Sequence, residues 1–197
     1  KQQIKFINSL KRNKNRLQSN CFISEGVNIV EDLFKSDFDI DTVFATKEWY
    51  LKNPSRECML VNQQELKKIS SLNSPNDVLA IVKRKNYLYN KSVIKKLKKI
   101  ILLDNISDPG NMGTMIRTAD WFGYNHIFLS HNCVDFYNPK VVQSSMGSVF
   151  RVNVSKVNTI DFLLDTASLG VKSFGASLSG ANIYECIMPD QYVMVFG

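Results

Sequence analysis

The sequence predicts an α/β protein made of two successive layered domains. Short apolar segments alternate with segments of helical period along most of the 197 residues. A stretch rich in Lys and Arg, residues 83–99, divides the chain into two halves. The composition, 44% hydrophobic and 22% charged, is that of a globular protein, and the length suits two small domains.

The first half alternates helices with strands. Residues 2–17 predict one helix with Ile4, Ile7 and Leu10 on a shared face. Strands are expected at "CFISEG", "DTVFAT", "CMLV" and "VLAIVKR", and helices between them at "EGVNIVEDLFKS", "EWYLKN" and "QQELKKIS". The helix at "EWYLKN" ends before Pro54, because proline has no backbone N–H to donate. This alternation indicates an α/β layer over about residues 20–84.

The second half begins with "KIILLDNI", a continuous apolar segment typical of a strand that is buried on both faces. Further strands are expected at "HIFLS", "VFRVNV", "VKSFGAS" and "YVMVFG", with helices at "NPKVVQSSMGS" and "TIDFLLDTASLG". The pattern predicts a mostly parallel sheet with helices on both faces.

The loop and helix in "DNISDPGNMGTMIRTADWFG" place polar residues at the end of the first of these strands. Pro109 and Gly110 allow a sharp turn, Asn111 is expected to cap the helix, and Gly123 is expected to end it. Arg117 lies away from the apolar stripe of the helix by helical geometry. That stripe comprises Met112, Met115, Ile116, Ala119 and Phe122.

The free N–H groups at such a helix start can bind a phosphate or carboxylate, so Asn111 and Arg117 are candidate contacts for an anionic substrate. Two structural alternatives remain open. Arg117 would form an exposed ion pair with Asp120, which contributes little to stability, and Asn111 would serve as a cap alone.

The net charge of +7 is concentrated in two stretches without any acidic residue. Residues 1–16 carry six Lys or Arg, and residues 83–99 carry eight. Such stretches favour a polyanionic partner, and Tyr87 and Tyr89 could stack on bases. The alternative is a solvated surface. The candidate RNA-binding residues are Lys11, Arg12, Lys83, Arg84 and Lys85.

Several classes of protein are disfavoured. No apolar run reaches the roughly 18 residues that cross a bilayer, and the basic start has no apolar signal core, so no membrane association or export is expected. With two histidines and no Cys-x-x-Cys pair among four cysteines, no metal site is expected, and the thiols suit a reduced, cytoplasmic setting. No Gly-x-Gly-x-x-Gly fingerprint supports a nicotinamide-dependent enzyme of doubly wound type.

Three segments of the second half resemble SpoU-type (TrmH-like) RNA 2′-O-ribose methyltransferases. "LDNISDPGNMGTMIRTADWFG" resembles the first motif of that family, "NPKVVQSSMGSVFRV" the segment after it, and "YVMVFG" the opening of the second motif. "SEGVNIVEDLF" and "LNSPNDVLAIVKR" resemble the ribosomal-protein-like substrate-binding domain that often precedes the catalytic domain.

The resemblance implies an RNA substrate-binding domain at residues 1–85, a basic linker at 86–98, and a SPOUT-class methyltransferase domain at 99–197. It further implies a trefoil knot, S-adenosylmethionine as methyl donor, no metal, and a homodimer. Asn111 and Arg117 match active-site positions of the family, whereas Ala176, Ser177 and Gly197 match positions that line the cofactor pocket. Ser145 and Gly147 match a small-residue segment near the active site and dimer face.

Two departures from the family pattern follow. Gln143 stands where many members have a basic residue. The rest of the second motif and all of the third would follow Gly197, so the chain is expected to be incomplete, to lack part of the knot, and to bind the cofactor poorly or not at all.

The leading prediction is methylation of a ribose 2′-hydroxyl in RNA, with ribosomal RNA favoured over transfer RNA as substrate. The guanidinium of Arg117 stays protonated in proteins, which favours stabilisation of developing alkoxide charge over a literal role as base. The alternatives are a non-catalytic RNA-binding protein with a degenerate methyltransferase fold, and a nucleotide-dependent enzyme.

Overall fold

A computed structural model describes residues 2–197, and these form two compact units. The first unit comprises the chain up to Lys85 together with Pro109–Arg117 and Asp135–Arg151. The second unit comprises Asn86–Asp108, Thr118–Val134 and Val152–Gly197. The second half of the chain therefore contributes two segments to the first unit.

The first unit contains a four-stranded mixed sheet in the order β1-β4-β2-β3. Strand β4 is antiparallel to β1 and β2, whereas the short edge strand β3 is parallel to β2. The elements up to Lys85 are α1 (Gln2–Ser9), α2 (Asn13–Ser19), β1 (Cys21–Glu25), α3 (Val27–Phe34), β2 (Ile40–Ala45), α4 (Lys47–Lys52), β3 (Met59–Leu60), α5 (Gln63–Ile69) and β4 (Val78–Lys83).

Local sequence explains most of these elements. Asn62 and Glu65 form a reciprocal capping box at the start of α5, and Thr46 accepts a hydrogen bond from the backbone N–H of Trp49 at the start of α4. Apolar side chains of α1, α5 and the sheet form a buried core. The core members are Ile7, Leu10, Cys21, Ile23, Phe44, Leu66, Ile69, Leu79 and Ile81.

The prediction of a single helix over residues 2–17 was wrong. The chain forms α1 and α2 with a turn between them. Carbonyl groups at this turn, those of Leu10 and Lys11, accept hydrogen bonds of 2.8 and 3.0 Å from the guanidinium of Arg16. The Arg16 side chain thus donates to carbonyls that backbone N–H groups would bind if the helix continued.

The second half continues with nine elements and two short 3-10 turns, at Ser148–Phe150 and Ile183–Glu185. The elements are α6 (Lys91–Lys96), β5 (Lys99–Leu103), α7 (Pro109–Trp121), β6 (His126–Ser130), α8 (Pro139–Ser144), β7 (Asn153–Val157), α9 (Thr159–Ser168), β8 (Lys172–Gly175) and β9 (Tyr192–Phe196). Helix α8 and the first nine residues of α7, Pro109–Arg117, belong to the first unit.

The second unit contains a five-stranded sheet in the order β7-β6-β5-β9-β8, in which every neighbouring pair is parallel. The predicted α/β class with a mostly parallel sheet is confirmed. Its core joins residues of α6 and α9 with residues in or next to the strands. The core members are Ile94, Ile100, Leu102, Phe128, Val157, Phe162, Val171 and Val193.

Two local differences from the sequence expectation stand out in the second half. Helix α6 lies inside residues 86–98, where only a basic linker was expected. The Asn90 side chain caps this helix by accepting a hydrogen bond from the N–H of Ser92. The strand expected at "VFRVNV" begins only at Asn153. The preceding residues turn instead, because Gly147 adopts a φ of 89° and Ser148–Phe150 form a 3-10 turn.

Candidate functional site

The two ends of α7 differ in how well the sequence predicted them. The helix begins at Pro109, so Asn111 is the third helical residue and the prediction that it caps the helix was wrong. Proline suits the first helical position because its missing N–H would have no partner there. At the other end the predicted stop is confirmed. Gly123 has a φ of 77°, its N–H donates to the Asp120 carbonyl (3.0 Å), and the Tyr124 N–H donates to the Ala119 carbonyl (2.9 Å).

Helix α7 buries only part of the predicted apolar stripe. Met112, Ile116 and Ala119 are buried, whereas Phe122, one residue beyond the end of the helix, is 71% exposed. Asn111 and Arg117 are both exposed. A separation of six positions along the helix places these two side chains about 120° apart around the axis and about 9 Å apart along it.

The exposed pairing of Arg117 with Asp120, considered above as an alternative, is not among the ion pairs of residues 2–197. Those ion pairs use six cations, Arg16, Lys83, Arg84, Lys85, Lys91 and Arg151. Arg117 is exposed, so a ligand can reach its guanidinium.

Helix α8 packs closely on the first turns of α7. A Cβ at Gly113 would lie 2.8 Å from the Val141 carbonyl oxygen and 2.8 Å from the Ser144 Cβ. The Ser144 hydroxyl lies 2.5 Å from the Lys140 carbonyl oxygen and 3.2 Å from that of Pro109. The start of α7 is thus fixed by α8 at a point where only glycine fits.

The small-residue segment after α8 lies in the same unit. Ser145 is fully buried, and its hydroxyl donates to the Val142 carbonyl (2.8 Å). Gly147 approaches Asp32, with 3.0 Å between the Asp32 Cβ and the place where a Cβ of residue 147 would lie. Gln143 is half-buried.

The predicted cofactor residues belong to the second unit, at the carboxyl ends of its parallel strands. The Ala176 N–H donates to the Val195 carbonyl (3.2 Å), which places Ala176 beside the end of β9 and hence beside Gly197. A Cβ at Gly197 would lie 2.8 Å from the Asp104 carbonyl oxygen, at the end of β5. Ser177 is exposed, with its hydroxyl 3.2 Å from that of Ser179. The structure brings Ala176 and Gly197 together.

This edge fits S-adenosylmethionine in two respects. Open parallel sheets bind ligands beyond the carboxyl ends of their strands. Ala176, Ser177 and Gly197 are exposed and have small or absent side chains, so a ligand can reach their main-chain groups.

Four of the five candidate RNA-binding cations have partners inside the first unit, and the fifth, Arg12, is exposed. The hydrogen bond with Asp41 raises the pKa of Lys83, and the hydrogen bond from Lys85 lowers the pKa of Asp37. The partners are Asp41 for Lys83 (3.2 Å), Asp135 for Arg84 (3.7 Å), Asp37 for Lys85 (2.5 Å) and the Ser70 carbonyl for Lys11 (2.8 Å). Their role in RNA binding stays a prediction.

A buried ion pair between Arg16 and Asp135 was missed by the sequence-based reasoning. Arg16 is 1% exposed and Asp135 is 8% exposed. The Nε and Nη2 atoms of Arg16 each lie 2.7 Å from the Asp135 Oδ2. The two residues are 119 positions apart, and no local pattern connects them.

Residues 2–197 contain neither a membrane-spanning helix nor a cluster of metal-binding side chains. No helix there has the length and apolarity to cross a membrane. No cluster of three or more His, Cys, Asp or Glu side chains in that range is arranged to hold a metal ion.

Comparisons with known proteins match both halves of the chain. Residues 98–197 match the model of the SpoU rRNA Methylase family, and residues 1–80 match that of the MRM3-like substrate binding domain. The 23S rRNA (guanosine(2553)-2′-O)-methyltransferase RlmP of Bacillus subtilis is 26% identical over 200 residues, which cover 100% of this chain and 79% of that protein.

A longer relative and a solved structure add to this picture. Mitochondrial rRNA methyltransferase 3 of Xenopus tropicalis is 30% identical over 180 residues, which cover 86% of this chain but only 43% of that protein. The crystal structure of an AdoMet-bound rRNA methyltransferase from Sinorhizobium meliloti superposes with a TM-score of 0.80 at 26% identity, covering 98% of this chain and 76% of that one.

Proposed function

Because the chain belongs to the SpoU rRNA Methylase family, we propose that it methylates a ribose 2′-hydroxyl of ribosomal RNA through Asn111 and Arg117. The family match and the relatives described above identify the chain as an S-adenosylmethionine-dependent RNA 2′-O-ribose methyltransferase. The observation that carries the residue roles is the position of an exposed Arg117 on a helix whose start is fixed by α8.

We assign Arg117 to the ribose 2′-oxygen, which attacks the methyl group. A ribose hydroxyl is a weak nucleophile, and negative charge grows on its oxygen as its proton leaves. The guanidinium remains protonated and donates hydrogen bonds to that oxygen, which stabilises the charge. The proton passes to the adjacent phosphate of the RNA. Asn111, in the first turn of α7, holds the ribose or phosphate in line for transfer.

The carboxyl edge of the second unit holds the methyl donor. Ala176, Ser177 and Gly197 border it, since these residues are exposed and their small or absent side chains leave room for a ligand. When bound, S-adenosylmethionine supplies an electrophilic methyl group on a sulfonium.

The test of Arg117 is a comparison of methyl transfer with RNA binding. Arg117→Ala is expected to lower the methylation rate by about 100- to 1000-fold, the usual cost of losing one donor to a developing oxyanion. RNA affinity should change by no more than about threefold, because most affinity comes from many phosphate contacts. Methylation is measured with tritiated S-adenosylmethionine under single-turnover conditions, and affinity by filter binding.

Two further variants make the result specific. Arg117→Lys keeps the charge but loses the planar fork of donors, so an intermediate rate is expected. Arg56→Ala removes an exposed arginine of the same unit, whose guanidinium lies 4.2 Å from the Phe34 ring, and should leave the rate unchanged. A full rate in Arg117→Ala would contradict the catalytic role.

The same assays separate the remaining alternatives. A non-catalytic RNA-binding protein would bind RNA in calorimetry but show neither cofactor binding nor methylation. Methylation of transfer RNA but not of ribosomal RNA would replace the proposed substrate. The proposal of ribosomal RNA is supported by the names of the Bacillus and Xenopus relatives.

We also propose that the protein acts as a homodimer in the cytoplasm. The support for the dimer is the family resemblance, and for the compartment it is four cysteines that form no disulfide within residues 2–197. A monomeric mass in sedimentation equilibrium would overturn the dimer.

A further inference from the structure

The side chain of Arg16 connects three places in the first unit. Its Nη1 donates to the Leu10 and Lys11 carbonyls at 2.8 and 3.0 Å, where α1 gives way to α2. Its Nε and Nη2 contact Asp135, which lies just before α8. Arg16 thereby ties the N-terminal helices to a segment from the second half of the chain.

The Asp135 carboxylate also forms an ion pair with a second arginine. Its Oδ1 lies 3.7 Å from Nη2 of Arg84, whose guanidinium also lies over the Tyr137 ring at 5.1 Å. Removing a carboxylate and a guanidinium from water is costly, and apolar residues often stabilise a fold equally well in their place. What such a pair provides in addition is a defined geometry, since the planar fork accepts a carboxylate in few orientations.

Asp135 is joined to α8 by a short turn. Its carbonyl accepts the N–H of Asn138 (2.9 Å), and the Asn138 side chain in turn accepts the N–H of Lys140 to cap α8. At its other end α8 places Ser144 against Gly113 and Pro109 of α7. A continuous path of contacts inside one compact unit therefore runs from Arg16 to the helix that carries Asn111 and Arg117.

We propose that the Arg16–Asp135 pair is a positioning device for methyl transfer. It holds α8, and through α8 the first turns of α7, in a fixed orientation relative to the N-terminal helices. Arg16 and Asp135 touch no reacting atom; they set where the guanidinium of Arg117 meets an RNA that the N-terminal part has bound. The inference rests on the proposed role of Arg117.

The first test uses Asp135→Asn, which nearly preserves shape but removes the charge. The single-turnover methylation rate is expected to fall about 10- to 100-fold, the usual effect of misplacing reacting groups by about 1 Å. RNA affinity should stay within about twofold, since phosphate contacts dominate it. Arg16→Lys keeps the charge but cannot reach the carboxylate and both carbonyls together, so it should give an intermediate rate.

The matched control is Asp165→Asn in the second unit. Asp165 accepts from Lys91 Nζ (3.0 Å) and the Tyr89 hydroxyl (2.8 Å), so the change removes the same charge from another ion pair. It should leave the rate unchanged. All rates are measured well below the melting temperature of each variant, so that a loss of folded protein does not contribute.

A distance measurement between α2 and α7 tests the positioning role independently of activity. Spin labels at Lys14 on α2 and Thr114 on α7, with Cys58 and Cys186 changed to serine, report the separation of these helices in the full chain. The parent should give one narrow distance distribution, and Asp135→Asn or Arg16→Lys a broader or displaced one.

Both measurements can contradict the positioning role of the Arg16–Asp135 pair. A full methylation rate in Asp135→Asn, or a lowered rate with an unchanged distance distribution, would overturn the positioning role. If Arg117→Ala keeps its activity, the proposed catalytic function fails, while the distance measurement still shows whether the pair orients α7.

Discussion

His126 shows how burial sets the charge of a single side chain in the second unit. It lies at the start of β6, with its Nε2 3.0 Å from the Ser155 hydroxyl and its ring 4.7 Å from that of Phe128. This partial burial disfavours the charged imidazolium and lowers the pKa of His126 below its ordinary value.

The lowered pKa of His126 predicts a pH dependence of stability. The unfolded chain takes up a proton near pH 6.5, whereas the folded state resists it until a lower pH. The unfolded state therefore binds more protons in this window, and the free energy of unfolding falls as the pH drops from about 7.5 through 6.5. Urea unfolding at several pH values should show this decrease, and His126→Gln, which cannot titrate, should reduce it. An identical pH dependence in both proteins would rule out this origin.

The polar residues differ in how far sequence could identify them. Asn111, Arg117 and Gly197 stand in motifs long enough to be recognised, although their roles stay predictions. The partnership of Arg16 with Asp135 joins positions 119 apart and leaves no periodic trace. A charged residue in a polar helix such as "NKNRLQS" looks solvent-exposed until the fold places a carboxylate beside it.

At the scale of elements, periodicity and turn residues predicted most helices and strands, because each depends on neighbouring residues. The failure at residues 2–17 arose from a side-chain contact that helical periodicity does not reveal, since the break between α1 and α2 depends on Arg16. The strand predicted at "CMLV" is present as β3, where it pairs with Phe44 and Ala45 of β2. Gly113 lies within the helical pattern of α7, and a glycine at such a position often marks close packing.

Gly113 therefore gives a prediction for the α7–α8 contact. Alanine is favoured over glycine in a helix by about 1 kcal/mol, but its Cβ would lie 2.8 Å from the Val141 carbonyl oxygen. Overpacking of this kind costs about 1–3 kcal/mol. Gly113→Ala should lower the free energy of unfolding, measured in urea, by up to about 2 kcal/mol.

Thr114→Ala is the control for Gly113→Ala. Thr114 is the next residue of the same helix and is exposed, so its change should stay within about 0.5 kcal/mol. A Gly113→Ala protein as stable as the parent would show that α7 and α8 separate easily.

At the scale of the whole molecule, the alternation of elements predicted an α/β class with a parallel sheet but could not give the strand order. The last strand, β9, lies between β5 and β8 in the sheet, so its neighbours are set by long crossovers. Nor did the sequence reveal that Pro109–Arg117 and Asp135–Arg151 form one compact unit with the chain up to Lys85. That grouping depends on contacts such as the buried rings of Phe22 and Tyr137, whose centroids lie 4.4 Å apart.

The net charge of +7 predicts RNA binding that weakens with salt, and the exposure of each candidate cation predicts how much it contributes. Arg12 is exposed, whereas Arg84 is only 16% exposed in its side chain and is held by Asp135 and Tyr137. Arg12→Gln should reduce the slope of log affinity against log salt by about 0.7–0.9, the value of one released phosphate contact. Arg84→Gln should change that slope less than Arg12→Gln, because the Arg84 guanidinium is largely buried and held by Asp135 and Tyr137. Titrations of an RNA hairpin at several salt concentrations measure both slopes, and the reverse ranking would mean that Arg84 leaves Asp135 to bind RNA.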